Sequence, residues 1–293
     1  MINLRAYLAC IFIVCAWSGW ITISRYGVHS NLQPADITLI RYVTALICVS
    51  PLIVRYDWAR YKLHQYLIMA LGIGFPYTML SFYGLKELKA AHAGVLVNGM
   101  LPVLGALAAW FILRQSVSLL RYGAIALIFL ANFVMAGGDT FSAGHSFGIV
   151  LLLSAAVLYT THMIAVRFWR FEWRDVLVAV PVVNTLCFLP LWFFFPTSLG
   201  KASVGDILSQ AVYQGIIVNI VALICSTYAI ARIGTITVSI FMSFVPVGTA
   251  LLAWLLLGER LNGWELCGII GCSLGLFLYA WGQVLETRGR TLH

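Results

Sequence analysis

Two pairs of ring-bearing side chains lie near the middle of long apolar segments, where polar groups are costly and usually serve a function. Trp17 and Trp20 lie three residues apart, and Tyr159 and His162 repeat that spacing in a later segment. Side chains three residues apart share one face of a helix. Because each pair could stack on an aromatic ligand, we predict that both line a cavity. The alternative is ordinary helix packing or, for His162, a structural hydrogen bond.

Further polar side chains within the apolar segments could complete such a site. Asn98 lies in mid-segment just before Pro102, which makes it the strongest candidate. The other predicted contributors to substrate binding are Tyr77, Tyr83, Asn184, Ser239, Met242 and Ser243. Each asparagine could instead hold two helices together, through interhelical hydrogen bonds that average about 0.6 kcal/mol in membranes.

Three prolines are predicted to act as gates. Pro76, Pro102 and Pro246 lie within the apolar segments, and a proline inside a helix removes one hydrogen bond and bends the chain. In a membrane the freed carbonyl group needs a new partner. We therefore expect hinges at these positions, the alternative being static kinks that only fix the packing.

Catalytic and metal-binding patterns are missing from the sequence. There is no G-x-S-x-G or H-E-x-x-H motif, and none of the seven cysteines forms a C-x-x-C pair. All ten acidic residues fall in loops or at segment ends, whereas an exporter of lipophilic cations would need a carboxylate at membrane depth. We therefore predict no enzyme, no cofactor and no metal site, and we disfavour cation export.

An aromatic zwitterion suits the remaining residues better than a cation does. Its ring can stack on tryptophan and tyrosine, and its ammonium group can lie over a ring face. Its carboxylate could meet asparagine side chains or Arg41, which lies about seven residues into the second apolar segment. The alternative for Arg41 is a side chain that reaches back to the membrane surface.

The elements that must position these residues are membrane-spanning helices. The chain of 293 residues is 62% hydrophobic and 10% charged, whereas a soluble domain carries roughly 25% charged residues. Apolar segments near the ~20 residues needed to cross a bilayer recur along the whole chain. We predict ten spans, at about 5–28, 34–54, 63–85, 89–112, 118–137, 146–168, 175–195, 205–230, 233–257 and 263–285.

The distribution of basic residues predicts the orientation and accounts for the formal charge of +8. If the N-terminus is cytoplasmic, twelve lysines and arginines fall in cytoplasmic segments and five on the opposite side. Since basic residues favour the cytoplasmic side, both termini are predicted there, which requires an even number of spans. The charge therefore indicates no nucleic-acid partner. The predicted partners are the lipid bilayer and a small-molecule substrate, and the oligomeric state stays open.

The chain contains an internal repeat. PVLGALAAW at 102–110 is followed 144 residues later by PVGTALLAW at 246–254, with six of nine positions identical. The repeat divides the chain into residues 1–140 and 141–293, each with five spans. Because five is odd, the second copy must enter the membrane inverted, as in transporters that bind substrate near the midplane. The predicted fold class is all-α integral membrane, with ten transmembrane helices in two inverted five-helix repeats.

The second copy resembles the signature of the drug/metabolite transporter superfamily, EamA type. Tyr228 and Ala229 are followed by Pro246–Leu261, which ends in GERL. In the first copy Arg114 and Gln115 stand where that family usually has Gly-Glu. The resemblance covers essentially the whole chain and implies ten helices in two five-helix halves. The length and aromatic content of the chain look similar to those of bacterial aromatic amino-acid exporters.

These observations together predict a transporter of the bacterial inner membrane. It would export small metabolites, aromatic amino acids foremost, by alternating access through a central aromatic-lined cavity; the direction follows from the resemblance alone. Two alternatives stay open: a broader amino-acid, nucleoside or drug exporter of the same superfamily and, from a different class, an intramembrane enzyme. The inverted repeat favours transport because an intramembrane enzyme does not require it.

Overall fold

The computed structural model describes residues 4–113, 118–136 and 146–290, and every regular element within these ranges is helical. In this part of the chain, nine helical segments are long and apolar enough to cross a membrane. Leu119–Met135 is a shorter apolar helix at the position of the fifth predicted span. The predicted fold class, an all-α membrane protein with two repeats, is confirmed.

The helices follow the order of the predicted spans. The first half contains α1 (Leu4–His29), α2 (Pro34–Ile53), α3 (Leu63–Gly72), α4 (Phe75–Glu87), α5 (Ala90–Leu113) and α6 (Leu119–Ala136). The second half contains α7 (Ser146–Phe168), α8 (Trp173–Trp192), α9 (Val204–Gln210), α10 (Ala222–Met242), α11 (Val245–Leu257) and α12 (Gly263–Arg290). Helix α10 is kinked at Gly234, whose backbone is not helical. A π-helical segment, Ala211–Val221, joins α9 to α10 and is called the π segment below.

Two of the spans are interrupted rather than continuous. The third span, predicted as one helix, ends at Gly72 and begins again at Phe75, so that α3 and α4 cross the membrane together. The ninth span breaks just before α11. Pro76 and Pro246 occupy the first turns of α4 and α11, where a proline has no helical N–H bond to lose. Pro102, by contrast, lies within α5 and does not end it.

The same capping arrangement begins the second helix of each half. Asp36 is the third residue of α2 and accepts the Gln33 N–H at 3.3 Å. Asp175 is the third residue of α8 and accepts the Glu172 N–H at 2.7 Å. Both carboxylates are buried, and an acidic group at this position stabilises a helix N-terminus. Matching caps at matching positions are what an internal repeat predicts.

The Asp36 carboxylate also binds the chain around the end of α8. It accepts hydrogen bonds from Trp192 Nε1 at 3.1 Å, from Thr197 Oγ1 at 2.7 Å and from the Ser198 N–H at 2.9 Å. A buried carboxylate with this many donors is well compensated for its loss of water. The start of α2 is therefore tied to the opposite half of the molecule.

The Asp175 carboxylate makes the reciprocal contact with the loop that follows α2. It accepts hydrogen bonds from the hydroxyl groups of Tyr56 at 2.9 Å and Tyr61 at 3.0 Å. Burial and the hydrogen bond to Asp175 raise the pKa of Tyr61 to about 12, so its hydroxyl remains a donor at neutral pH. Each half thus supplies part of the polar environment of the other half's second helix.

Removing the Asp175 charge should destabilise the protein. In Asp175→Asn, one amide group replaces a carboxylate that accepts from two tyrosines and a backbone N–H, and we expect the free energy of unfolding to fall by about 2 kcal/mol. Thermal unfolding in detergent measures this. The matched control is Asp57→Asn, an exposed residue of the same loop, which should change stability by under about 0.5 kcal/mol. Equal effects of the two substitutions would contradict the assigned role of Asp175.

A core of buried side chains lies between the two halves. Trp20 of α1, Tyr77 and Phe82 of α4, and Leu152 of α7 belong to one cluster of buried residues. The rings of Trp20 and Phe82 lie 6.5 Å apart. Because α7 belongs to the second half and the other helices to the first, this cluster lies where the two repeats meet.

Candidate functional site

Five of the side chains predicted to bind substrate form one continuous group of rings, here called the aromatic ladder: Trp17, Trp20, Tyr77, Tyr159 and His162. Trp20 stacks on Tyr77 with centroids 5.6 Å apart, and Tyr77 stacks on Tyr159 at 5.5 Å. Tyr159 stacks on His162 at 6.0 Å. Trp17 lies 6.2 Å from both Trp20 and Tyr159. Helix α1, helix α4 and helix α7 each contribute, so the ladder joins the two halves.

The interruption between α3 and α4 sets the direction in which α4 presents Tyr77. Asn184 of α8 holds this interruption: its Oδ1 accepts the Phe75 N–H at 2.7 Å, and its Nδ2 donates to the Ala70 carbonyl at 3.0 Å. A Cβ atom on Gly74 would lie 1.8 Å from Asn184 Oδ1, so only glycine fits there. The Asn184 amide, predicted as a substrate contact, is thus already engaged by the backbone.

The Asn184 amide should therefore matter for stability. Asn184→Ala removes the side-chain partners of the Phe75 N–H and the Ala70 carbonyl inside the membrane. We therefore expect the free energy of unfolding to fall by about 1–3 kcal/mol. The control is Asn98→Ala, because Asn98 is half-buried and its side-chain amide forms no hydrogen bond with the described residues. The measurement is the thermal unfolding of both variants in detergent, compared with that of the unchanged protein. An Asn184→Ala protein as stable as Asn98→Ala would show that the amide does not hold the break.

The His162 ring is fixed by the same interrupted span. Its Nδ1 lies 2.7 Å from the carbonyl oxygen of Met69 in α3. A carbonyl oxygen only accepts, so Nδ1 carries the proton and donates it. The buried ring lies nearly parallel to Tyr159, at an interplanar angle of 8°. His162 therefore forms one end of the ladder and has the structural hydrogen bond that the sequence left as an alternative.

Arg41 of α2 lies directly beside the ladder. Its guanidinium carbon is 5.8 Å from the Trp20 ring centroid and 5.6 Å from that of Tyr42. Its Nη1 donates to Gln214 Oε1 at 2.7 Å, and its Nη2 donates to Asn219 Oδ1 at 3.1 Å. The side chain is 2% exposed, so it does not reach back to the membrane surface.

Gln214 connects the charge of Arg41 to the ladder. Its Oε1 accepts both from Arg41 and from Trp20 Nε1, the latter at 2.7 Å. Its Nε2 donates to Ser24 Oγ at 2.9 Å and to Gln210 Oε1 at 3.2 Å. The orientation of the indole is therefore coupled to the position of the guanidinium through one amide oxygen.

The π segment explains how two residues five positions apart reach one guanidinium. In an α-helix, side chains at i and i+5 point in different directions, but a π-helix bonds i to i+5 and brings them to one face. Gln214 and Asn219 are related in this way within the 11 residues of the segment. Uncommon helical turns of this type occur frequently at functional sites.

The charge of Arg41 is not neutralised within the described part of the chain. None of the ion pairs found there includes Arg41. Its Nε and the Nδ2 of Asn219 are buried without a hydrogen-bond acceptor among the described residues. Two N–H donors and a full positive charge thus lie next to the ladder, balanced only by amide oxygens and ring faces.

Comparison with known proteins connects this geometry with a family. The EamA-like transporter family matches the chain twice, at residues 4–137 and 142–281. The chain belongs to the EamA-like transporter family. A relative in Archaeoglobus fulgidus, described as an uncharacterized transporter, is 20% identical over 296 residues, covering 94% of this chain and 97% of the relative. The two matched segments agree with a multi-pass membrane protein built from two repeats.

A solved crystal structure, described only as that of a protein, has the same fold. It superposes with a TM-score of 0.59 at 18% sequence identity, covering 93% of this chain and 95% of the other. At this identity the likeness shows the fold alone. Two features of the family pattern lie outside the described residues: the boundary near residue 140, and Arg114 and Gln115, where the family usually has Gly-Glu.

The remaining predicted contributors of this EamA-like protein are not members of the ladder itself. Tyr83 is half-buried at the other end of α4, with Lys86 Nζ 6.0 Å from its ring. Ser239, Met242 and Ser243 lie where α10 gives way to α11, and Met242 packs against the buried cluster around Ile13, against which Trp17 of the ladder also packs. Ser243 donates to its own helix, at the carbonyl of Ile240. Met242 therefore shares a buried cluster with a ladder residue, whereas Tyr83 packs against a different cluster, around Phe188.

Two glutamines of the Arg41 network are not among the predicted residues. Gln210 and Gln214 are fully buried in the eighth span. Their signal in the sequence is the spacing of two uncharged polar residues, four apart, within an otherwise apolar span. Such residues in a membrane segment face the protein interior and mark functional positions. The contact between Gln214 and Arg41 depends on the π-helical geometry, which the apolar pattern does not reveal.

Proposed function

We propose that this EamA-family transporter carries small metabolites with an aromatic ring across the bacterial inner membrane, with aromatic amino acids as the preferred cargo. The proposed mechanism is alternating access, in which the two halves open the ladder to one side of the membrane and then to the other. The direction is export, by resemblance to amino-acid exporters of the superfamily. The required partners are the bilayer and the substrate, with no enzymatic step and no cofactor.

The observation that carries this proposal is the composition and position of the ladder. Three rings come from the first half and two from the second. Stacked and edge-on ring pairs are favourable beyond the area they bury. When an aromatic substrate binds, ring–ring contacts within the protein can be replaced by contacts between the protein and the ring of the substrate. A change in the relative position of the halves then changes which rings the substrate meets.

The charges around the ladder favour an aromatic metabolite over a cationic drug. The nearest charged side chain, Arg41, is positive and would repel a cation. The carboxylates of Asp36 and Asp175 are occupied by hydrogen bonds at the starts of α2 and α8. Among the described residues, the ladder therefore offers a cation ring faces but no carboxylate.

Counterflow in liposomes containing the purified full chain tests this function. Labelled phenylalanine or tryptophan should accumulate saturably against an unlabelled internal pool. Trp20→Leu should reduce the initial rate at least about tenfold, since the indole both stacks in the ladder and donates to Gln214. A pH gradient should be applied in parallel to distinguish proton exchange from facilitated diffusion.

The control for this prediction is Trp264→Leu. Trp264 lies in the first turn of α12 and is 60% exposed, as expected of a tryptophan at a membrane interface. Its replacement should leave the rate of counterflow near that of the unchanged protein. Folded protein that moves neither amino acid would contradict the proposed cargo, and uptake of nucleosides or non-aromatic amino acids instead would support the broader exporter.

The orientation can be measured independently of transport. With both termini cytoplasmic, green fluorescent protein fused to the C-terminus should fluoresce in intact cells, because it does not fold after export through the general secretory route. Alkaline phosphatase inserted beside Lys201, in the loop after α8, should be active because that loop is periplasmic in the proposed orientation. The opposite pair of results would invert the topology.

A further inference from the structure

Two buried N–H donors next to the ladder lack an acceptor. Arg41 Nε and Asn219 Nδ2 are both inaccessible to solvent and unpaired within the described residues. The orientation of the Asn219 amide follows from its neighbour, since Arg41 only donates and the oxygen must face it. A buried donor without an acceptor is costly because it loses its hydrogen bonds to water. Here two occur on one pair of interacting side chains.

We propose that Arg41 and Asn219 form the binding site for a carboxylate group of the transported molecule. The inference rests on the proposed function and makes it more specific: the recognised feature is an aromatic ring with a carboxylate on a short linker. The amino group is dispensable. Arylalkyl carboxylates without an amine are therefore substrates or competitors, and amine analogues without a carboxylate are not.

The chemistry of the guanidinium favours a carboxylate. Arginine stays charged in proteins and presents its N–H groups in a planar fork that matches the two oxygens of a carboxylate. The Nη groups of Arg41 are engaged by amide oxygens, which carry no net charge. The Nε–H is left for an anionic oxygen, and Asn219 Nδ2 is available for the second. A bound carboxylate would both neutralise Arg41 and satisfy both donors.

The distance between Arg41 and the ladder fits the size of such a molecule. The guanidinium carbon is 5.8 Å from the Trp20 ring, and the Trp20 and Tyr77 rings are 5.6 Å apart. A ring bound at the ladder therefore has its carboxylate, two or three carbon atoms away, within reach of Arg41. The shared Gln214 oxygen links the two contacts, because it accepts from both Trp20 and Arg41.

Among the described residues, no comparable group binds the amino group. The described residues place no carboxylate in contact with the ladder or with Arg41, and the Asp36 carboxylate is held by Trp192, Thr197 and Ser198. An ammonium group would rest only on ring faces, close to the positive charge of Arg41. The carboxylate therefore dominates recognition, which is the opposite of what a site for aromatic amines requires.

A competition experiment on the unchanged protein tests this specificity. Full-length protein in phosphatidylcholine vesicles, whose zwitterionic headgroups carry no net charge, is assayed by counterflow of labelled phenylalanine. Unlabelled 3-phenylpropionate, which lacks the amine, should compete within about threefold of phenylalanine, whereas phenylalaninamide, which lacks the carboxylate, should be at least about tenfold weaker. Equal competition by the two analogues, or stronger competition by the amide, overturns the proposal.

Variants of Arg41 connect the specificity to the site. In Arg41→Gln the preference for 3-phenylpropionate over phenylalaninamide should disappear, and in Arg41→Lys, which keeps the charge but not the fork, it should persist in weaker form. Lys201→Gln, which removes a positive charge from an exposed loop, should leave the preference unchanged. If Arg41→Gln keeps the full preference for 3-phenylpropionate over phenylalaninamide, the carboxylate binds at another site and the proposal is overturned.

Thermal unfolding separates this inference from the proposed function. In detergent, 3-phenylpropionate should raise the unfolding temperature of the unchanged protein and of Lys201→Gln, and should have no effect on Arg41→Gln. If phenylalanine is not transported but this Arg41-dependent shift occurs, the aromatic amino-acid function fails and the carboxylate site stands. If phenylalanine is transported and no ligand shift depends on Arg41, the function stands and the carboxylate site is wrong.

Discussion

A bilayer offers no partners to a backbone that leaves its helix, so the interruption of the third span depends on the Asn184 amide. One side chain supplies an acceptor to the Phe75 N–H and a donor to the Ala70 carbonyl, and Gly74 provides the space for it. The separation of α3 from α4 follows from this contact. Met69 in α3 then binds His162, while α4 presents Tyr77 to Trp20 and Tyr159.

The two halves are joined by polar contacts at the periphery and by rings at the centre. The Asp36 and Asp175 carboxylates each cap a helix of their own half and bind the loop of the other. Between them lies the ladder, with Arg41 held by side chains of the π segment. The peripheral contacts satisfy their groups completely, whereas the central charge is left incompletely satisfied. We therefore assign the peripheral groups to stability and propose the central charge as the group that binds a ligand.

The sequence predicts the fold well because hydropathy and the repeat are both properties of long segments. The pairing of Trp17 with Trp20 and of Tyr159 with His162 is likewise correct, since residues three apart share a helix face wherever the helix lies. For Asn184 the sequence offered an interhelical hydrogen bond as an alternative to substrate binding, but its partners were not predictable, because they depend on which backbone groups the third span leaves unpaired. Gln214 was missed for a related reason: its contact with Arg41 arises from a π-helical turn, and apolar periodicity does not distinguish that turn from an α-helix.

The reciprocal caps have a consequence for the order in which the protein is completed. Asp36 enters the membrane with α2, but its partner Ser198 follows 162 residues later in the chain. Synthesis proceeds from the N-terminus, and domains usually fold in that order. Here the start of α2 obtains most of its hydrogen-bond donors only after α8 has emerged, so the Asp36 carboxylate lacks these partners while the first five spans are made. A substitution that disrupts the loop after α8 would therefore also destabilise α2.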